Sequence, residues 1–269
     1  MAIDGSGTQQ DPWVITTYDE LVEKAATSGE YCIIANDINI TDEYPDGDMP
    51  QLVLKANVNG NGKKISNWYK TTYGSAIFVQ TQTAQLYNCT IGNIYCKNDT
   101  FMEIRSYNEN YHFVNCNFHG ICWYDLFKAI DEYNSTRNFS SCSFYINSKN
   151  NGYAAIVSNM YSYIGMQYCS IKVASSTAST VFAAQTGTFV DSCYIESTIP
   201  CGSYSAVKNS VLDLTTNTTF TANGNASNDL NIINSTHAPN ATAGDGFALV
   251  DDTHWKDVNY LSSIGFNAG

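Results

Sequence analysis

Apolar residues along this chain return in short clusters, at a period far longer than a helix turn or a strand alternation. Five six-residue phrases share one design, in which a large apolar residue, a cysteine and a closing apolar residue hold fixed places. They read Leu86-Tyr-Asn-Cys-Thr-Ile91, Phe113-Val-Asn-Cys-Asn-Phe118, Phe139-Ser-Ser-Cys-Ser-Phe144, Met166-Gln-Tyr-Cys-Ser-Ile171 and Val190-Asp-Ser-Cys-Tyr-Ile195. Cys89, Cys116, Cys142, Cys169 and Cys193 therefore follow one another at 27, 26, 27 and 24 residues. Val207-Lys-Asn-Ser-Val-Leu212 repeats the phrase with Ser for Cys, Ile232-Ile-Asn-Ser-Thr-His237 is a weaker copy, and Val58-Asn-Gly-Asn-Gly-Lys-Lys-Ile65 a diverged earlier one. The three apolar places form an inward-facing set with strand patterning. A second apolar burst follows each cysteine, at Phe101-Met-Glu-Ile104, Leu126-Phe-Lys-Ala-Ile130, Ala154-Ala-Ile-Val157 and Thr180-Val-Phe-Ala183, and turn-formers such as Asn98-Asp-Thr and Lys149-Asn-Asn-Gly152 lie between. Two or three short strands per coil, repeating every ~25 residues, predict a parallel β-helix. Its coils stack about 4.8 Å apart, with the five cysteines as one internal column of small buried hydrophobes. Side chains stacked in register point the same way, which is poor geometry for a disulfide.

The ends read differently. Thr17 with Glu20 three residues on is a capping box, and Leu21, Val22, Ala25 and Ala26 form one apolar stripe, so a short helix is expected there, followed by the strand Tyr31-Cys-Ile-Ile-Ala35. Residues 1–50 are read as an N-terminal cap, 51–214 as the coils, and 215–269 as irregular last coils and a non-repeating tail with aromatic anchors between Trp255 and Phe266.

Composition sharpens this picture. The chain has 269 residues and a formal charge of −12, and only Arg105 and Arg137 carry guanidinium groups, which argues against a nucleic-acid partner. No apolar run is long enough to cross a membrane as a helix. The polar start Met1-Ala-Ile-Asp-Gly-Ser-Gly lacks a basic region followed by an apolar stretch, so no signal peptide is expected. With 14% charged residues, 43% hydrophobic residues and 19 tyrosines, the chain is strand and turn material rather than a helical bundle.

Candidate chemistry is sparse. Nine cysteines without a CxxC give no zinc spacing, and no metal site or cofactor is expected. Nucleophile-elbow, HExxH, P-loop and EF-hand patterns are absent from the sequence. Measured from their cysteines, Asp99 and Asp125 fall at ten and nine residues, and Glu103 and Asp131 at fourteen and fifteen, so each pair could be neighbours on adjacent coils. Glu103, Asp125 and Asp131 are therefore the candidates for acid–base work on a polysaccharide, with Glu109, Glu132, His112 and His119 on the same coils. Acids that simply solubilise a surface explain the same residues. Trp123, Tyr124, Tyr133, Tyr153, Tyr161 and Tyr163, with Tyr145, cluster on the middle coils as a candidate platform for sugar rings or a partner subunit, or else as core filler.

The opening Gly5-Ser-Gly-Thr-x-x-Asp-Pro-Trp-x-Ile-x-Thr-x-x-Glu-Leu resembles the start of many bacterial surface and phage-encoded β-helix proteins. Val58-Asn-Gly-Asn-Gly-Lys-Lys-Ile65 looks like the first coil of pectate-lyase-like folds. The resemblance implies an all-β, single-stranded, right-handed parallel β-helix of a tailed-phage virion, of the capsid decoration or head-fibre type. It further implies assembly in the bacterial cytoplasm, capsid or other virion proteins as partners, and a homo-oligomer, with a trimer favoured. No site residue carries over from it. Three functions are thus expected in order: a non-catalytic structural virion protein, a carbohydrate-binding adhesin or receptor-binding fibre for cell-surface glycans, and a polysaccharide depolymerase.

Overall fold

The computed structural model describes residues 3–47, 49–81, 83–105, 111–129, 138–149, 154–159, 164–175, 180–184, 188–191, 193–198, 205–208, 211–214, 236–237 and 248–249. The chain winds into a parallel β-solenoid with three sheet faces. Among the described residues, sheet A holds nine strands, from Trp13–Ile15 and Tyr31–Ile34 through Asn57–Asn59, Gln85–Tyr87, Phe113–Val114 and Phe139–Ser140 to Ser205–Lys208. On the same residues sheet B holds eleven, among them Ile38–Asn39, Lys64–Ser66, Tyr69–Lys70, Thr90–Cys96, Asn117–Cys122, Ser143–Ser148 and Ser170–Ser175, and sheet C six, from Leu52–Leu54 to Thr180–Ala184. Each coil contributes to the faces in turn, and every named strand pairing is parallel, as in Phe118 opposite Phe144 opposite Ile171. Strands at Tyr31–Ile34 and Ile38–Asn39 already belong to sheets A and B, so the stacked coils begin inside the first fifty residues.

The cysteine phrase is a corner rather than a single strand. In four of the copies the residue before the cysteine takes a left-handed backbone: Asn88 (φ 54°), Asn115 (φ 52°), Ser141 (φ 53°) and Tyr168 (φ 55°). One such residue turns the chain sharply from sheet A to sheet B, which is why two inward residues can be three apart, as Phe113 and Cys116 are. Asparagine tolerates this conformation, and its amide adds a rung between coils, with Asn115 Nδ2 donating to Asn88 Oδ1 at 2.9 Å.

The corner also accounts for the cysteines. Four of the thiols reach back to the carbonyl that opens the phrase of the preceding coil: Cys116 to Leu86 O (3.3 Å), Cys142 to Phe113 O (3.5 Å), Cys169 to Phe139 O (3.8 Å) and Cys193 to Met166 O (3.6 Å), while Cys89 Sγ contacts Thr90 O (3.8 Å). A small apolar residue with a weak donor fits a buried corner that carries a carbonyl. All eight described cysteines are free and buried. Burial pushes the Cys89, Cys122, Cys142 and Cys193 thiols well up, and those of Cys32 and Cys96 up to about 12.

Aromatic rings fill the middle of the shaft. Phe113 stacks on Phe139 at 5.2 Å and Phe118 on Phe144 at 5.1 Å, and Phe127 lies 4.5 Å from Phe139. At the N-terminal end the helix Tyr18–Ala25 closes the core with Tyr18, Leu21 and Ala25 buried. Its first turn has the expected capping box, with Thr17 Oγ1 accepting from Glu20 N and Glu20 Oε2 accepting from Thr17 N, both at 3.2 Å. Glu43 adds a second acidic cap, accepting from the Tyr18 and Asp19 amides at 2.6 and 3.0 Å. Trp68, fully buried, packs edge-on against both Tyr18 (5.6 Å) and Phe101 (5.5 Å) and so ties the helix to the coils. Of the expected tail, 236–237 and 248–249 add strands to sheet B, and Trp255 and Phe266 lie outside the described residues.

Candidate functional site

Sheet B is bent in its early coils and straight afterwards. Asn67 (φ 61°) and Asn93 (φ 54°) put a second left-handed residue into each of two successive coils, and the register slips between Ile91 and Ile94. The bend leaves a groove of about 480 Å³ lined by Thr41, Pro45, Asn67, Tyr69, Asn93, Ile94, Tyr95, Gly120 and Ile121, a size ordinary for a small-ligand site.

Two ladders run along this groove, parallel to the solenoid axis. In one, Asn93 Nδ2 donates to Asn67 Oδ1 at 2.9 Å and Asn67 Nδ2 to Asn39 Oδ1 at 2.7 Å. Asn93 and Asn67 each spend one of an amide's two donors on the ladder, and Asn67 Nδ2 also stands 3.5 Å from Thr41 Oγ1. In the other, Tyr69 stacks on Tyr95 (4.7 Å between rings, 22° between planes), and Trp123 leans on Tyr95 at 4.8 Å and 57°. The outer face of Tyr69 is covered as well, because Gly47 packs against it so closely that a Cβ there would stand 1.8 Å from Tyr69 Cδ1. The rings thus cover one another's faces and leave edges and phenol hydroxyls for the groove. Ile121, in register with Tyr95, supplies an apolar patch.

Every lining residue is uncharged, on a chain whose net charge is −12. His119 stands beside the bend, where Asn93 N makes a long 3.5 Å contact with its Nδ1. Burial and the nearby Lys64 hold the imidazole below its ordinary pKa, which favours the neutral, accepting form.

The sequence candidates fall in several places. Trp123 extends the aromatic ladder, Tyr124 is exposed beside it, and Tyr145 lies two coils away from Tyr95 on straight sheet B, 5.9 Å from Lys172 Nζ. Tyr133, Tyr153, Tyr161 and Tyr163 lie outside the described residues. Glu103 has Phe78 and Lys128 as register partners, and its carboxylate accepts from Arg105 Nε at 2.5 Å. Asp125 is buried in the turn that leads into Phe127–Ala129, aligned with Thr100, three positions before Glu103. Asp131, with Glu109 and Glu132, is outside the described residues. Asp99 serves its own turn, accepting from Gly74 N (2.8 Å) and Thr100 N (2.7 Å). Among the described residues no cluster of three or more His, Cys, Asp or Glu could hold a metal ion. Sequence reasoning missed Asn67, Tyr69, Asn93 and Tyr95. Their signal was the tripeptide Asn-x-Tyr, present as Asn67-Trp-Tyr69 and again 26 residues later as Asn93-Ile-Tyr95.

No family model, no curated protein and no solved structure matches the chain.

Proposed function

We propose that this protein is a non-catalytic carbohydrate-binding β-solenoid, a stiff shaft that offers a groove for neutral glycans near its N-terminal end, as an adhesin or receptor-binding fibre would. One observation carries the reading: an uncharged groove in which an amide ladder faces a tyrosine ladder, on a strongly acidic chain. A pyranose is amphipathic in the same way. Its C–H groups suit Ile121, and its hydroxyls suit amides, phenols and the electropositive ring edges. A peptide strand fits less well, because parallel pairing between coils already engages the strand backbone there. The depolymerase reading has less to rest on, since Glu103 is tied to Arg105 and Asp125 is buried apart from it.

The test is retention on an immobilised panel of neutral and anionic oligosaccharides, comparing wild type with Tyr95→Ala. Binding of neutral glycans that weakens about tenfold or more in the variant supports the proposal. Wild type that binds no glycan, or a variant that binds as well as wild type, defeats it. The opening motifs at Gly5 and Val58 additionally favour a tailed-phage virion as the setting for such a shaft, docked to capsid proteins or to its own copies. Electron microscopy of the particle tests that setting.

A further inference from the structure

The two ends of the groove are unlike, and this bears on which part of a glycan it would hold. At the N-terminal end the chain leaves the first strand of sheet B, Ile38–Asn39, and folds across as residues 40–47. Thr41 and Pro45 line the groove from this segment. The wall is well anchored: Thr41 Oγ1 donates to Asn39 Oδ1 at 2.9 Å, Asn39 Nδ2 to Asp42 Oδ1 at 2.6 Å, and Gly47 is pressed onto the Tyr69 ring. At the other end nothing comparable stands. The lining stops at Gly120 and Ile121, and the next strand, Ser143–Ser148, pairs with Asn117–Cys122 through six consecutive residues without a slip. The groove therefore shallows onto a straight sheet and is open that way.

A trough walled at one end and open at the other does not let a polymer run through along its axis. We infer that the groove receives the terminus of an unbranched neutral glycan, with the last sugar against Thr41 and Pro45 and the rest of the chain leaving over Ile121 toward the later coils. This rests on the glycan reading above and adds which part of the chain is held and in which direction it lies. Both ladders run along the axis, so successive sugars meet successive Asn and Tyr rungs. A ligand lying across the axis would meet only one rung of each.

The experiment uses the whole chain and monodisperse neutral gluco- and N-acetylgluco-oligosaccharides, each as a short and a several-fold longer member. Calorimetric titration reads the number of proteins bound per glycan chain. End recognition gives one protein per chain at both lengths, whereas a stoichiometry that rises with length overturns the inference and leaves the glycan reading intact. A bulky fluorophore on one terminus sharpens the result. Placed on the held end it should weaken binding about tenfold or more, and on the opposite end it should change little. Undiminished binding with both ends tagged overturns the inference. Ile121→Ser, at a partly exposed position outside the core, should weaken the short chain, and an unchanged affinity there puts the ligand elsewhere and also overturns it. If no member binds at all, the inference and the reading beneath it fall together.

Discussion

The early coils and the middle coils are built from the same phrase, yet only the early ones are concave. From Asn117 onward the sheet B strands run straight, with Asn117–Cys122, Ser143–Ser148 and Ser170–Ser175 in unbroken register. Their inward residues make a plain stack, such as Phe118 on Phe144. In the coils of Asn67 and Asn93 one extra left-handed residue bends the strand, and register is recovered only by a slip opposite Asn117–Cys122. That slip is absorbed at Gly120, where a Cβ would stand 2.4 Å from Ile94 N and 2.5 Å from Ile94 Cβ. The regular coils supply stiffness and core. The departure from regularity supplies a surface that a ligand can enter.

Four substitutions break or sharpen this contrast. Phe139→Ala empties the centre of the straight stack and is expected to cost about 3–5 kcal/mol in urea unfolding while glycan affinity, measured on the folded fraction, stays near wild type. A loss of affinity as large as the loss of stability would mean that the two regions are not separable. Gly120→Ala inserts a methyl into the junction and is expected to cost about 1–3 kcal/mol, with affinity falling alongside because the bend has to shift. Stability equal to wild type there would show that the junction has slack. The smallest effects come from a matched pair, Asn93→Ala and Asn115→Ala. Each places alanine at a positive φ and removes a ladder amide, for about 1 kcal/mol apiece. Calorimetry of the two should give similar stability losses, but only Asn93→Ala should weaken glycan binding.

Much of the solenoid was legible because the repeat is written in residues that must point inward. Phe113, Cys116 and Phe118 recur in kind as Phe139, Cys142 and Phe144, and burial leaves few alternatives at such positions. The second bursts, such as Phe101-Met-Glu-Ile104, likewise mark sheet C. The corner inside the phrase was not legible, because a left-handed backbone at Ser141 or Tyr168 leaves no mark in residue type, although Asn88 and Asn115 hint at it. The groove was harder still. Asn67 and Tyr69 point outward, where composition is loosely constrained, and what makes them a site is a conformation and a register slip. The candidate acids were chosen by counting from cysteines, a count that the corner and turn geometry does not preserve. Glu103 thus meets Lys128 across the ladder.

The thiols have a consequence for what happens after the shaft is damaged. While the coils are closed, the described sulfurs are buried, and burial raises the thiols of Cys32, Cys89, Cys96, Cys122, Cys142 and Cys193, so oxidants and alkylating agents find little to attack there. Once a stretch of coil opens, its cysteines regain ordinary acidity and meet one another at random along a flexible chain. Any bond formed then joins sulfurs that the native corners keep on separate rungs, and the chain can no longer rewind. In air, opening would be a one-way event for the broken solenoid, whereas under reducing conditions the same opening could heal.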